Sequence, residues 1–380
     1  MLPYWRLSAY YFFYFAFLGA FSPYFSLYLK SLGLSAWDIG VLMSLMQVMR
    51  VLAPPLWGAL ADRLGVRMPV VRAAGALAAL GFAGFLLTRS FAGLFAVMAV
   101  MAFFWAASLP LVEAATLGHL KGAPGRYGRI RLWGSIGFIV TVLGCGSLLD
   151  RLPVSALVVI GLAIQVAVFG FSLLVPDAPP PAHESDHLPI WQVLRQKEVL
   201  RLLTACFFMA AAHAALYIFY SIYLVEHGYS KSAVGWLWSL GVIVEIGVFV
   251  WMPRLLAAYT PRGILAFAMA CAVLRFLMIG WGVAWLPVIV AAQALHGATF
   301  GANHAAAMAA INRLFPGRHQ GRGQALYASV TFGAGGMLGG LVAGWAWDAL
   351  GGAAVWTLSA GFALVGMVLM LGNDQGSRAG

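Results

Sequence analysis

The chain has 380 residues, of which 62% are hydrophobic and 9% charged, with a formal net charge of +11. A soluble domain carries roughly 25% charged residues, so this chain has too few polar groups to coat a water-facing surface and the bilayer must be its solvent. Soluble enzymes, secreted disulfide scaffolds and nucleic-acid binders are excluded, because the basic residues fall in short gaps between long apolar runs.

Twelve apolar runs are each long enough to cross a bilayer, which takes about 20 residues. In chain order they are predicted at 7–30, 37–59, 68–88, 91–117, 128–149, 153–175, 200–225, 232–256, 262–282, 285–311, 323–348 and 352–372. Ser35 and Asp38 form a capping box before the second span; Pro54 and Pro55 lie within it and should kink it. The first run follows only Met1 to Arg6 without a small-residue cleavage site, so it reads as a retained span. Of the 23 Lys and Arg, 17 occupy the termini and the even-numbered gaps, and the odd-numbered gaps hold only Lys30, Arg89, Arg151 and Lys231. By the positive-inside rule both termini face the cytoplasm.

A polar, Pro-rich stretch from Pro176 to Glu198 interrupts the runs after the sixth. It reads as a semi-rigid linker, with Ile190 to Val199 able to form a short interfacial helix. The expected organisation is an N-terminal six-helix bundle over 1–175, a cytoplasmic linker over 176–199, and a C-terminal bundle with a short tail over 200–380. An internal echo supports this division. Gly33-Leu34-Ser35 and Gly40-Val41-Leu42-Met43-Ser44-Leu45 recur as Gly228-Tyr229-Ser230 and Gly235-Trp236-Leu237-Trp238-Ser239-Leu240, and Leu132-Trp133-Gly134-Ser135 is echoed by Leu326-Tyr327-Ala328-Ser329 at nearly the same offset. The fold class is thus all-α and integral to the membrane: twelve transmembrane helices in two pseudo-symmetric six-helix bundles. Parallel repeats of this kind hold their binding site near the bilayer midplane.

An ionised side chain in mid-membrane costs several kcal/mol, on the order of 3 or more, unless it is paired or faces water. Arg50, Glu113, Glu245 and Arg275 lie well inside spans and Arg131 at the inner edge of the fifth; the repeat register sets Arg50 opposite Glu245. These could be buried ion pairs that fix packing, or a transport site. On the second reading Arg50, Glu113, Arg131 and Arg275 bind substrate, with His213 and Tyr217 one turn apart on the seventh span, while Glu245 and His296 carry a proton. A carboxylate desolvated between helices binds and releases a proton near neutral pH, and histidine titrates there without perturbation. His304, beside a run of small residues, reads as a packing residue. The mid-span charges sum to +1, which favours an organic anion, and Tyr10, Tyr14, Tyr24, Tyr217, Tyr220 and Trp238 could line a cavity for an aromatic ring.

Between the second and third spans, Gly58-Ala59-Leu60-Ala61-Asp62-Arg63-Leu64-Gly65-Val66-Arg67 resembles the loop signature G-x-L-A-D-R-x-G-R-K of the major facilitator superfamily. The resemblance implies that Gly58, Asp62, Arg63, Gly65 and Arg67 serve gating rather than substrate contact. Within the superfamily the chain resembles the phenylpropionate permease branch, near the lactose permease and nucleoside:proton symporter groups. The blocks that carry this are Tyr127 to Ser135, His213-Ala214-Ala215-Leu216-Tyr217, and Gly228-Tyr229-Ser230 through Glu245. It implies a Glu113–Arg131 pair beside the substrate, and an acid, arginine and histidine at Glu245, Arg275 and His296. One departure stands out: the carboxylate usual one turn after that histidine is Thr299, and the nearby lysine is Gln293.

The expected function is proton-coupled uptake of a small aromatic carboxylate, with a sugar or nucleoside symporter as the alternative. No cofactor is expected, the proton gradient being the energy source; the partners are a small-molecule substrate, protons and lipid, with no nucleic acid, and the functional unit is a monomer. The location is a bacterial-type inner membrane. A drug exporter fits less well, since Gly134 to Gly146 lacks the antiporter proline, and a membrane enzyme or sensor fits least, since neither a catalytic motif nor an output domain is evident.

Overall fold

The computed structural model describes residues 2–120, 125–178, 193, 195–316 and 319–372. Helices α1 to α6 are Tyr4–Ser31, Ala36–Leu64, Met68–Ala83, Phe91–Leu120, Gly125–Leu149 and Ala156–Leu174. Helices α7 to α9 are Lys197–Glu226, Lys231–Ala258 and Pro261–Gly282. Helix α10 comes in three pieces, Leu286–Ala294, a π-helical turn Gly297–Ala302, and Asn303–Leu314; α11 runs Gln320–Leu350 and α12 Gly352–Leu371. Among the described residues eleven helices are long and apolar enough to cross a membrane. The exception is α10, the tenth expected span, whose regular pieces Leu286–Ala294 and Asn303–Leu314 are each too short on their own; α11 also carries a π turn, Ser329–Gly335, but runs on as one helix. Most of the expected linker, including His183, Glu184, Asp186, His187 and the start of the interfacial helix, lies outside the described residues.

Local chemistry explains the ends. Asp38 N donates to Ser35 Oγ at 3.1 Å and Ser35 N to Asp38 Oδ2 at 3.3 Å, the reciprocal cap expected at the start of α2. Helix α2 continues through Pro54 and Pro55 to Gly65, which ends it in the left-handed conformation at φ +67° that glycine adopts without steric cost. Beyond it, Asp177 Oδ2 accepts the Arg67 amide at 2.9 Å, satisfying a donor at the start of α3 that the helix itself leaves open. Trp5, Leu87, Val250 and Trp281 are among the large apolar side chains left exposed on helices and their ends, as a lipid solvent permits.

The chain divides into two compact units: Met1–Ser185 with Tyr217–Ser239, and Asp186–Leu216 with Leu240–Gly380. In the first, α1 packs on α5 and α6, and α3 on α4 and α6. Small residues allow the closest crossing, for a Cβ on Gly137 would lie 2.1 Å from the Phe12 carbonyl oxygen and one on Gly19 2.6 Å from that of Phe138. The second unit repeats the scheme six elements later. Helix α9 packs on α12, and α11 crosses α7 where a Cβ on Gly335 would lie 2.5 Å from the Phe207 carbonyl and one on Gly339 2.2 Å from that of Ala211.

Three polar contacts in the first unit hold helix ends together. Lys30 pairs with Glu226; Tyr24 Oη donates to the Val142 carbonyl at 2.8 Å and lies 3.2 Å from that of Lys231. Asp150 accepts the amides of Lys231 and Ser232 at 2.8 and 3.0 Å and the Ser232 hydroxyl, capping the start of α8. Desolvation favours the protonated acid, but the Ser232 hydroxyl and amide and the Lys231 amide and charge outweigh it and hold Asp150 below the usual carboxylate range. A carboxylate with a depressed folded-state pKa contributes stability above its unfolded value, about 3.9, and loses it as pH falls through the folded value.

Two outcomes follow. Gly137→Ala should lower unfolding stability by about 1–3 kcal/mol through backbone displacement, whereas Gly144→Ala on the same helix, with open space around it, should be neutral or stabilising in the same thermal-unfolding measurement. Asp150→Asn should lower the melting temperature at neutral pH, with the difference from wild type shrinking below about pH 4 as the wild-type carboxylate protonates.

Candidate functional site

Two polar clusters form inside the helices, one in each unit. In the first, Arg131 of α5 lies 4.0 Å from Glu113 of α4, each about a third exposed, and Tyr127 donates to the same Glu113 oxygen at 3.1 Å. The Arg131 guanidinium also sits 3.8 Å from the centre of the Phe15 ring, so its charge is held by an acid on one side and a π face on the other. Arg50 of α2 donates to Gln47 one turn earlier at 3.3 Å and is exposed. The charges of Arg50, Glu113 and Arg131 all act on the Tyr14 hydroxyl, which places the three around one aromatic side chain. The Tyr14 ring in turn stacks on Trp105 at 4.1 Å and 7°.

The second cluster is drier and more tightly connected. Arg275 of α9 is fully buried and donates from one terminal nitrogen to Thr299 Oγ1 at 2.9 Å and from the other to Gln293 Oε1 at 2.7 Å. Thr299 Oγ1 also lies 3.3 Å from His213 Nε2, while His213 Nδ1 is 2.9 Å from the Met209 carbonyl. A carbonyl can only accept, so Nδ1 carries the proton, and in the neutral ring Nε2 must then accept from Thr299. The direction of the chain is therefore set: Arg275 to Thr299 to His213 to the Met209 carbonyl. Beside it, His296 Nε2 lies 3.4 Å from Glu245 Oε2, and no hydrogen bond reaches His296 Nδ1 among the described residues. The Arg275 charge acts on both histidines.

The backbone of α10 makes this packing possible. The π turn begins immediately after His296, and a Cβ on Gly297 would lie 2.8 Å from Val244 Cγ1, one on Gly301 3.3 Å from Glu245 Cγ, and one on Gly241 3.3 Å from the His296 ring. Glycine at these three positions lets α8 and α10 approach until the acid and the histidine meet. π turns inside α-helices recur at functional sites.

The expected residues thus fall into two sets, Arg50, Glu113 and Arg131 in the first unit and His213, Glu245, Arg275 and His296 in the second. Tyr217 packs against Trp238, with ring centres 6.0 Å apart, in the first unit. His304 packs among Phe300, Tyr327 and Phe332, and its Nδ1 lies 3.4 Å from the Tyr327 hydroxyl. Tyr24 is engaged at helix ends, and Tyr10, Tyr24 and Tyr220 are fully buried. Of the loop signature, Asp62 and Arg63 occupy the last turns of α2, Gly65 ends it, Arg67 precedes α3, and Gly58 sits in open space. Tyr127, Thr299 and Gln293 did not emerge from the sequence as site residues. The signal for the last two was their departure from the family pattern, since both become acceptors for Arg275. Among the described residues no group of three His, Cys, Asp or Glu could hold a metal.

Residues 4–358 match the model of the MFS_1 like family. The chain belongs to the major facilitator superfamily. It is 32% identical over 355 residues to the probable 3-phenylpropionic acid transporter of Escherichia coli (strain K12), covering 92% of each chain. It is 29% identical to the maltose permease of Geobacillus stearothermophilus, over 95% of this chain and 92% of the relative. The crystal structure of the nucleoside transporter NupG superposes with a TM-score of 0.86 over 98% of both chains at 18% identity, which establishes the shared fold. The chain is accordingly a multi-pass membrane protein of bacterial type and a secondary active transporter of a small molecule driven by the proton gradient, not an enzyme.

Thr299→Val keeps the volume but removes the acceptor of Arg275 and the donor to His213. It should cost about 1–3 kcal/mol in unfolding stability, the penalty for leaving buried polar groups unmatched, and Thr299→Ser should restore most of it.

Proposed function

We propose that the protein is a proton symporter that takes up a neutral, polar, ring-bearing solute, a sugar or a nucleoside, by alternating access, with both termini in the cytoplasm. The observation that carries this reading is the condition of Arg275. It is fully buried and two neutral acceptors already hold it, so a substrate carboxylate would have to break two charge-assisted hydrogen bonds to reach it. Counting Glu245 against Arg275 leaves the second cluster formally neutral. In the first cluster the part-exposed Glu113, Arg131 and Tyr127 offer both acceptors and donors to hydroxyl groups, and the Tyr14–Trp105 stack offers a flat apolar face to a sugar or base. The likeness to a maltose permease agrees with this chemistry.

A second reading, uptake of an aromatic carboxylate, is favoured by Arg50, which is exposed and donates to the neutral Gln47, and by the likeness to a probable 3-phenylpropionic acid transporter. In both readings Arg50, Glu113 and Arg131 of the first unit contact substrate, His213 and Arg275 hold the second unit's own cluster together, and Tyr217 packs on Trp238. Glu245 carries the coupling proton with His296 as its partner. The proton reaches the carboxylate when His296 donates through Nε2, and Nδ1, buried and without a hydrogen-bond partner among the described residues, is the ring atom left to take a replacement. Asp62 and Arg63 act in gating, where charges at the end of a helix hold one arrangement and release in another.

Proteoliposomes with an imposed pH gradient should accumulate a disaccharide or a nucleoside and not 3-phenylpropionate; accumulation of the aromatic acid alone would overturn the first reading in favour of the second. Glu245→Gln should abolish uphill accumulation by about 100-fold or more, as for loss of a positioned proton carrier, while sparing substrate exchange at equal pH. Preserved uphill transport in that variant would remove Glu245 from the mechanism.

A further inference from the structure

Helix α10 carries a second histidine that the transport cluster leaves unused. His304 follows His296 by about two turns, and the rings of His296, Phe300 and His304 lie in one stack, with successive centres 5.5 and 6.2 Å apart and planes within 2° and 10° of parallel. Glu245 of α8 lies beside this stack. Its Oε2 is 3.4 Å from His296 Nε2, a Cβ on Gly301 would lie 3.3 Å from its Cγ, and its charge acts on His304. Gly301 precedes His304 by one turn, so the stem of the acid crosses α10 between the two histidines, where glycine leaves it room to turn. From α11, the Tyr327 hydroxyl lies 3.4 Å from His304 Nδ1, and the rings of Tyr327 and Phe332 stand 6.0 and 6.1 Å from the imidazole. The titratable groups around His304 are thus Glu245 from α8 and Tyr327 from α11, while Arg275 of α9 acts on His296. All of these residues belong to the second unit.

We propose that His304 is a second station on the proton path, taking the coupling proton from Glu245 and passing it toward the cytoplasm. The inference rests on the reading that Glu245 carries that proton. With a hydrogen on Nδ1 donated to the Tyr327 oxygen, Nε2 of His304 keeps its lone pair. The Glu245 carboxyl turns from His296 to His304, its O–H bond breaks as an N–H bond forms on Nε2, and the imidazolium faces the carboxylate that the proton has left. The imidazolium then gives that proton to water, which restores the neutral ring. A cation is tolerated here because the face of Phe300, the neighbouring rings of Tyr327 and Phe332 and the Glu245 carboxylate all attract it. His304 is half-buried whereas His296 is buried, so water reaches the later station more readily than the earlier one. Helix α10 ends toward Arg313, in a gap rich in basic residues. With those gaps cytoplasmic, His304 lies about 12 Å nearer the cytoplasm than His296, at about 1.5 Å per residue. Packing alone would need none of this, since phenylalanine or leucine would fill an aromatic pocket without facing an acid.

The test uses the full chain in proteoliposomes with an inward-directed proton gradient, offered maltose, uridine or 3-phenylpropionate, whichever the wild type accumulates, and assays exchange of the same solute at equal pH. His304→Phe keeps a ring in the stack and His304→Gln keeps a polar partner for Tyr327, but neither side chain can carry a proton. Both variants should exchange solute at the wild-type rate and slow uphill uptake about 100-fold, the scale of a lost proton-transfer group. Both should also raise the ratio of uptake rates in H2O and D2O, because proton release becomes the slow step; a packing role would leave that ratio where it is. Uphill uptake at the wild-type rate in either variant, loss of exchange along with uptake in both, or an unchanged isotope ratio would each overturn the proposal. Glu245→Gln in the same assay separates it from the reading beneath it. Uphill uptake surviving in Glu245→Gln removes Glu245 and this path with it, whereas uptake lost there and intact in His304→Phe removes His304 alone.

Discussion

Charge in a low-dielectric interior must be answered by charge or by hydrogen bonds, and this constraint organises the protein. With so few ionisable residues in 380, those inside the helices are each placed against a specific partner: Glu113 with Arg131 and Tyr127, Glu245 with His296, Arg275 with Thr299 and Gln293. The pairs differ in kind. The first is part-exposed and held by an acid, a hydroxyl and an aromatic face, so its members can exchange partners at modest cost. Arg275 is fully buried with neutral acceptors, and moving it would strand a guanidinium in an apolar interior, which is costly even where water can follow. One cluster is built to be rearranged and the other to stay.

This contrast revises the charge argument drawn from composition. The mid-span sum of +1 treats every arginine as available to a ligand. Once Arg275 is occupied and Glu245 offsets it, the excess charge belongs to the first unit, and there Arg131 is already matched by Glu113. Arg50 remains, exposed and donating to the neutral Gln47, and a single exposed arginine is weak grounds for an anionic substrate. Hydrogen-bonding capacity, which both units supply in abundance, is the stronger chemical signature.

The fold was legible because bilayer thickness turns span length into a counting problem and leaves the gaps polar. Eleven of the expected spans are helices long and apolar enough to cross, and the caps at Ser35–Asp38 and Gly65 follow from rules spanning four residues. The site was legible only in part. An intramembrane Glu or Arg announces itself by its cost, so Glu113, Arg131, Glu245 and Arg275 stand out in the sequence, and each is held by a polar partner in the fold. Tyr127, Thr299 and Gln293 carry no such cost, and tyrosine, threonine and glutamine are common in membrane helices. Their roles depend on partners that chain folding brings close, as with Thr299 and His213, which are 86 residues apart. The break in α10 was hidden for a related reason: its composition is that of an ordinary apolar span, and the π turn arises because Gly297 and Gly301 let α8 come close enough to displace the regular backbone pattern.

That break also gives the second cluster its internal logic. His296 immediately precedes the π turn and Thr299 lies inside it, so the residue facing Glu245 and the residue holding Arg275 share a short, irregular stretch of backbone. The Thr299 hydroxyl has one proton to give. It lies 3.3 Å from His213 Nε2 and 3.4 Å from the His296 carbonyl, and with His213 neutral it serves the ring. If the His213 ring instead carried a second proton, Nε2 would become a donor, and the hydroxyl would have to turn toward the His296 carbonyl to keep every group matched. A single side chain thereby ties the state of one histidine to the backbone beside the other. A carboxylate in its place would attract Arg275 more strongly but would have no proton to redirect, so the exchange of an acid for threonine changes the character of the cluster from an ion pair to a hydrogen-bond switch around a fixed cation.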